Sequence, residues 1–292
     1  MSAKPVNKDF HRFRLGRFEC ISVCDGSYEY VLKNLFPGLS LEQMEALIRD
    51  FKLPPDRIST PYTFLFVDTG RNKVLVDMGA GKLGPNTGKL VQNLKLAGVR
   101  PEDIDTVFIT HAHPDHIGGT LDESGQPNYP NARYFIRKEE WDFWFSEEAS
   151  REVTEHYSRI LPSEVFMKSA RGQLGPVKDR VELLTEESEV LPGVCAQAAF
   201  GHTPGHMVVS FTSEGERLVF IGDAVVFPFL LERPEILPVY DIMPDMAAES
   251  KRELCNRLAE SNALVLAQHF PPFPSLGHIR RHGGGWRWEP GD

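Results

Sequence analysis

The sequence carries the same order of elements twice, and this order limits the folds that the chain can adopt. Residues 62–79 read YTFLFVDTGRNKVLVDMG, and residues 206–225 read HMVVSFTSEGERLVFIGDAV; each is two apolar runs around a polar turn. Each predicted hairpin ends near an aspartate, Asp77 or Asp223, and is followed by a predicted helix and a buried strand. Two β-rich halves with helices on one side of each predict an α+β fold, a four-layer αββα sandwich.

The N-terminal part of the chain lacks this pattern. It is predicted to be an irregular lead-in with one short strand, Phe18 to Val23, and a turn at Asp25-Gly26. An amphipathic helix is expected after Ser40, because apolar residues recur there at helical spacing. No linker or shift of composition divides the chain, so we expect one domain over residues 1–292, with residues 1–60 as an extension packed on it.

The strongest chemical signal is the segment HAHPDH at residues 111–116, directly after the predicted strand DTVFIT. Residues two apart in an extended segment point the same way, so His111 and His113 can share one metal ion. After a proline turn, Asp115 and His116 are aimed back at the same place. Crowded histidines and carboxylates repel their like neighbours when charged, which favours metal binding over a solvated loop.

Further ligand-type residues follow other predicted strands, where loops gather on one rim of the sheets. GHTPGH follows VCAQAAF, Asp223 follows LVFIG, and His269 follows ALVLAQ. Of the two histidines in GHTPGH, we take His202 as a ligand and His206 as a supporting or structural group. The seven predicted metal ligands, enough for two ions bridged by one aspartate, are His111, His113, Asp115, His116, His202, Asp223 and His269.

HAHPDH, GHTPGH, the strand end IGDA and the late His269 together resemble the metallo-β-lactamase superfamily, over nearly the whole chain from Phe10 onward. The resemblance implies an αββα sandwich and two metal ions bridged by Asp223. In that family the ligands of one ion match His111, His113 and His202, and those of the other match Asp115, His116 and His269.

Segments outside the metal motifs are most similar to methyl parathion hydrolase and its lactonase and arylesterase relatives, above all YPNARYFIRKEEWDFWFS and GHIRRHGGGWRW. Class B β-lactamases lack an equivalent of Asp223. Short-chain acyl-homoserine lactonases usually have a tyrosine three residues after the bridging aspartate, where this chain has Val226.

The predicted activity is therefore that of a dinuclear metal-dependent hydrolase of lactones or aryl esters, with promiscuous phosphotriesterase activity as an addition. Two ions about 3.5–4 Å apart lower the pKa of a water between them and supply a bridging hydroxide. Asp115 is the predicted catalytic carboxylate, which takes the proton left on the nucleophile. Asp77 is expected to orient a loop or a ligand histidine. Zinc is the first expectation for both ions, and manganese, iron and cobalt share its ligand chemistry.

Three alternatives remain open at this point. One is a dedicated organophosphate triesterase of the methyl parathion hydrolase type, because phosphotriesters and lactones need the same metal centre. The others are a metal-binding sensor without catalysis and a single-iron dioxygenase. The complete set of ligand-type residues argues against both of these.

Aromatic side chains are the candidates for substrate binding. By the resemblance, Trp144 matches a residue that lines the leaving-group pocket of methyl parathion hydrolase. Phe227 and Phe229, just past Asp223, come next, and Tyr240 is a weaker candidate. An aromatic, uncharged pocket favours a small neutral ester, lactone or phosphotriester.

Charge and composition exclude other classes of function. The chain has 32 Lys and Arg against 41 Asp and Glu, a formal net charge of −9, whereas a nucleic-acid groove needs clustered positive charge. No run approaches the roughly 20 apolar residues that span a bilayer. The N-terminal residues do not resemble a secretory signal, and the four cysteines form no CxxC pair. We therefore expect a cytoplasmic protein with no nucleic-acid or membrane partner, and by analogy with the family a homodimer.

Overall fold

The computed structural model describes residues 8–147 and 164–291, which contain two seven-stranded sheets. The strands of the first sheet, neighbours in chain order, are β1 (Phe10–Leu15), β2 (Phe18–Val31), β3 (Arg57–Asp68), β4 (Lys73–Val76), β5 (Thr106–Phe108), β6 (Arg133–Arg137) and β7 (Val181–Leu184). Those of the second are β8 (Ser188–Leu191), β9 (Val194–Ala198), β10 (Met207–Ser213), β11 (Glu216–Phe220), β12 (Leu264–Leu266), β13 (Leu276–His282) and β14 (Gly285–Pro290).

Helices cover the outer face of each sheet. The helices of the described residues are α1 (Leu32–Leu35), α2 (Leu41–Phe51), α3 (Leu90–Leu96), α4 (Pro114–Ile117), α5 (Lys138–Phe145), α6 (Glu164–Leu174), α7 (Phe229–Glu232) and α8 (Pro244–Ser261). One apolar cluster joins the first sheet to α3, α5 and α6, and another joins the second sheet to α1, α2, α7 and α8. A third cluster lies between the sheets and includes Phe108 from the first sheet and Phe211 and Phe220 from the second. The layers are helix, sheet, sheet, helix, which confirms the predicted αββα sandwich.

Both predicted hairpins form, and each leads into a parallel pair. β3 and β4 are antiparallel, as are β10 and β11. β4 then pairs in parallel with β5, and β11 with β12. The carboxyl ends of these four strands lie toward one rim of the sandwich, so the loops that follow them share one site.

The prediction for the N-terminal residues is wrong in one respect, because β1 and β2 belong to the first sheet. β2 pairs with β3 along its length, and Asp25-Gly26 is an irregularity in that pairing rather than a turn. The buried Asp25 carboxylate accepts backbone N–H bonds from Ala80, Gly88 and Leu90 at 2.9, 3.1 and 2.7 Å. These partners are 55 or more residues away, so local turn chemistry could not reveal them.

The helix predicted after Ser40 is α2, and its first turn has a complete cap. The Ser40 hydroxyl accepts the Gln43 backbone N–H, and the Gln43 side chain accepts the Ser40 backbone N–H. This capping box satisfies two N–H groups that a helix start otherwise leaves unpaired. The prediction of a helix here is confirmed.

Candidate metal centre

The structure brings all seven predicted ligand residues together at the rim, as two groups that share Asp223. Within each group one nitrogen or oxygen per residue lies within 4.8 Å of the others. The first group is His111, His113, His202 and Asp223. The second is Asp115, His116, Asp223 and His269. All seven residues are at most 9% exposed.

The Asp223 carboxylate lies between the two groups and turns one oxygen toward each. Its Oδ2 is 3.3 Å from His202 Nε2 and 3.9 Å from His111 Nε2. Its Oδ1 is 3.1 Å from His269 Nε2 and 3.3 Å from His116 Nε2. This is the arrangement of a carboxylate that bridges two cations.

The chemistry of these atoms fits divalent metal ions. Asp223 Oδ1 is buried and has no hydrogen-bond partner in the described part of the chain, although imidazole nitrogens surround it. Burial lowers the pKa of His111 and His113 well below its usual value, so both are neutral and offer a nitrogen lone pair. Burial alone would raise the pKa of Asp223, but His269 and His116 outweigh it and hold that carboxylate ionised. Imidazole nitrogens and an ionised carboxylate are the ligands that zinc and similar ions take.

The HAHPDH segment changes from extended chain to helix, and this change brings its ligand-type residues to the same site. His113 is the extended N-cap of α4, Pro114 is the first residue of that helix, and Asp115 and His116 follow on its single turn. The helix leads into Gly119, where an added Cβ would lie 2.2 Å from the Met78 carbonyl oxygen. Only glycine allows this close approach of the two segments.

Two buried carboxylates orient ligand imidazoles through the nitrogen that faces away from the site. Asp77 Oδ2 is 2.7 Å from His116 Nδ1, and it also accepts the Thr110 hydroxyl. Asp241 Oδ1 is 2.8 Å from His202 Nδ1. Such pairs select the imidazole tautomer that offers Nε2 to a metal. Asp77 has the positioning role that we expected of it, whereas Asp241 was not identified in the sequence.

His206 belongs to neither group. Its Nδ1 lies 3.0 Å from the Ala199 carbonyl oxygen, and its Nε2 accepts the Asp223 backbone N–H at 3.0 Å. Because the carbonyl only accepts and the N–H only donates, the ring is neutral with its proton on Nδ1. His206 therefore supports the backbone that carries Asp223.

Glu140 is a second residue that sequence reasoning missed. Its carboxylate is wholly buried, and Oε1 accepts the Ala112 N–H at 2.9 Å and the Trp144 indole N–H at 2.6 Å. Oε2 accepts the Thr203 hydroxyl at 2.6 Å and the Gly205 N–H at 2.9 Å. One side chain thus ties the HAHPDH segment to the GHTPGH segment. No spacing motif marks this role, since the two loops that Glu140 joins are distant from it in the sequence.

A cavity opens above the two groups and is lined largely by aromatic side chains. Its described lining contains no lysine or arginine. The lining residues are Tyr28, Tyr30, Tyr62, Leu83, His113, Pro114, Asp115, Phe166, Asp223 and Tyr240.

The three aromatic residues first chosen as substrate-binding candidates are not in this lining. Trp144 is wholly buried, and its indole is held by Glu140. Phe227 and Phe229 stack on each other with centroids 5.3 Å apart and pack against Phe36 in the apolar core. Aromatic residues near a motif serve the core as readily as a pocket, so the substrate-binding role of these three residues stays a prediction. Tyr240, the weaker candidate, does line the cavity.

Comparisons with known proteins agree with this geometry. The profile of the metallo-β-lactamase superfamily matches residues 60–269. An N-acyl homoserine lactonase of Bacillus cereus is 23% identical over 190 residues, which is 58% of this chain and 65% of that protein, just under two thirds of its length.

Two solved structures are similar over almost the entire chain. AidC, a dizinc quorum-quenching lactonase in complex with the product N-hexnoyl-L-homoserine, has a TM-score of 0.89 and 26% identity, covering 97% of this chain and 98% of its own. The hydrolase AbOPH of the β-lactamase superfamily has a TM-score of 0.88 and 26% identity, covering 98% of each chain.

The chain belongs to the metallo-β-lactamase superfamily and is a metal-dependent hydrolase with a dinuclear site of histidine and aspartate ligands. Specific kinship to methyl parathion hydrolase stays a prediction. Within residues 8–147 and 164–291, no helix has the length and apolar character needed to cross a membrane.

Proposed function

We propose that this protein hydrolyses lactones, and aryl esters of similar size, at a pair of zinc ions. The observation that carries the proposal is the position of Asp223, whose two oxygens face the two groups at the base of an aromatic cavity. Similarity to AidC, a dizinc lactonase, over 97% of this chain supports a lactone as the substrate class.

In this proposal each group of side chains holds one ion. His111, His113 and His202 would hold the first, Asp115, His116 and His269 would hold the second, and Asp223 would be shared by both. Divalent ions held by these residues would lower the pKa of bound water and would supply hydroxide at neutral pH.

Asp115 is the proposed proton carrier. Its carboxylate lines the cavity, and its Oδ2 lies 3.5 Å from His269 Nε2 and 3.8 Å from His116 Nε2. It accepts the proton left on the nucleophile after the new C–O bond forms at the acyl carbon. It returns that proton to the ring oxygen as the old C–O bond breaks, so that lactone and water give a hydroxy acid.

The cavity lining favours uncharged substrates. Tyr28, Leu83, Phe166 and Tyr240 offer apolar surface, and the described lining has no cationic side chain to pair with a phosphate or carboxylate. A neutral acyl group therefore enters without leaving a charge unpaired.

The test compares kcat/KM for a δ-lactone, an aryl acetate and paraoxon on one preparation whose metal content is known. We expect two zinc ions per chain, the highest kcat/KM with the lactone, and loss of activity on chelation that zinc restores. A paraoxon value well above the others would identify a phosphotriesterase instead. A fully metallated protein that hydrolyses none of the three would contradict the proposal.

A further inference from the structure

Four tyrosines form one wall of the cavity. Tyr28 and Tyr30 come from β2, Tyr62 comes from β3, and Tyr240 lies between α7 and α8. Tyr28 packs on Tyr30 and Tyr62, with ring centroids 5.0 and 6.2 Å apart, and Tyr30 packs on Tyr240 at 6.0 Å. Because these contacts hold the rings in place, their hydroxyl groups are also held in place.

The hydroxyl groups of Tyr30 and Tyr62 are 2.6 Å apart and share one hydrogen bond. Tyr62 is wholly buried, and its ring lies against His269 with centroids 4.9 Å apart. Among the described residues, the Tyr62 hydroxyl has no other hydrogen-bond partner. This places the tyrosine pair on the side of the second metal-binding group.

The direction of this hydrogen bond follows from the burial of Tyr62. If Tyr30 were the donor, the buried Tyr62 hydrogen would have no acceptor, at a cost of about 1–3 kcal/mol. Tyr62 is therefore the donor and Tyr30 the acceptor. The Tyr30 hydrogen is then free to point at a molecule in the cavity.

The surroundings also keep Tyr30 protonated. Burial is the largest cause that raises its pKa well above the usual value. A phenol in this setting keeps its proton and donates a hydrogen bond, rather than transferring the proton.

We infer that the Tyr30 hydroxyl, oriented by Tyr62, donates a hydrogen bond to the acyl oxygen of the bound lactone or ester. Negative charge develops on that oxygen when the nucleophile adds to the acyl carbon. A preorganised donor beside a developing oxyanion stabilises the transition state more than the ground state. The inference rests on the proposed function and assigns the substrate-contacting donor of that site.

The experiment compares Tyr30→Phe, Tyr62→Phe and Tyr129→Phe with the wild-type chain on a δ-lactone, with zinc content and thermal unfolding measured for each. Tyr30→Phe should lower kcat on the order of 100-fold, with KM and zinc content nearly unchanged. Tyr62→Phe keeps the Tyr30 hydroxyl but removes the hydrogen bond that orients it, so we expect kcat to fall about tenfold. Tyr129 is the matched control, because its buried hydroxyl has no hydrogen-bond partner in the described chain and belongs to the core.

A series of aryl acetates with different leaving groups tests which oxygen Tyr30 contacts. A donor to the acyl oxygen lowers kcat by the same factor across the series. If the loss in Tyr30→Phe grew with the pKa of the leaving phenol, the donor would serve the leaving oxygen and the inference would be wrong.

The two proposals fail in different ways. A fully metallated wild-type protein that hydrolyses no lactone or ester contradicts the proposed function. An active wild-type protein with Tyr30→Phe within about twofold of it contradicts only the tyrosine assignment. Should Tyr30→Phe not fold, Tyr62→Phe decides: lowered kcat at normal zinc content supports the assignment, and unchanged kcat overturns it.

Discussion

The two halves of the molecule end their strands alike but place their aspartates differently. The parallel pairs end with Val76 beside Phe108 in the first half and with Phe220 beside Leu266 in the second. Relative to these last pairs, His111 and His269 each lie three residues further along the chain.

The aspartates break this correspondence. Asp77 lies one residue past Val76, whereas Asp223 lies three residues past Phe220. The shorter offset leaves Asp77 wholly buried beneath His116, and the longer one carries Asp223 to the centre of the site. In a repeated scaffold, the distance from the strand end thus decides whether a carboxylate orients a ligand or acts as one.

The largest effect is expected from Asp223→Asn, which removes the shared anion and leaves the scaffold intact. We expect kcat/KM to fall on the order of 1,000-fold, because the site loses several kcal/mol of electrostatic stabilisation. Elemental analysis should find no more than one zinc ion per chain. Two tightly held ions in this variant would show that Asp223 is not the bridge.

Glu140→Gln tests whether metal binding by the first group depends on the hydrogen bonds through which Glu140 joins the HAHPDH and GHTPGH segments. The amide has one oxygen in place of two, so N–H donors such as that of Gly205 lose their acceptor. We expect zinc affinity and kcat/KM to fall about 100-fold and the free energy of unfolding to fall by about 1–3 kcal/mol.

Glu182→Gln is the matched control for Glu140→Gln. Glu182 forms an exposed ion pair with Arg133, which contributes about 0–1 kcal/mol. If both variants lost zinc affinity and kcat/KM to the same extent, the hydrogen bonds of Glu140 would have no special role in metal binding.

Asp77→Asn makes the same chemical change as Asp223→Asn, but at the aspartate that lies only one residue past its strand. The amide keeps one acceptor but weakens the contact to His116 Nδ1, so affinity for the second zinc ion should fall about tenfold. Titration with a competing chelator measures this zinc affinity. An effect as large as that of Asp223→Asn would remove the distinction between the two aspartates.

The smallest effect on catalysis is expected from Phe227→Leu. Because Phe227 packs behind Tyr30 rather than in the cavity lining, KM for the lactone should stay unchanged. Loss of core packing should lower the free energy of unfolding by about 1–2 kcal/mol. Urea unfolding measures the stability and steady-state kinetics measure KM. A raised KM at unchanged stability would show that Phe227 contacts the substrate.

The parts of the site that the sequence predicts are those encoded by local patterns. HAHPDH follows a buried strand and combines extended spacing with a helical turn, so His111 and His116 could be placed from the chain alone. Asp223 and His269 each follow a recognisable strand. In every case the signal lies within a few residues of the ligand.

The missed residues depend on long-range contacts. Glu140 and Asp241 are buried carboxylates, and each contacts a loop that lies 28 or more residues away in the sequence, through Ala112 and His202 respectively. Tyr30 lies at the end of β2, in a segment without the apolar runs that marked the later strands. The position of such residues becomes visible only when the sheets are paired.

The sharing of ligands between halves has a consequence for how the protein matures. The first group takes two residues from HAHPDH and two from the second half, and the other group is divided in the same way. In these two groups, which are drawn from the described residues, each half supplies two ligand-type residues and never three. Firm retention of zinc would therefore report that the two sheets have docked correctly, so metal content can serve as a check on the assembly of newly made chains.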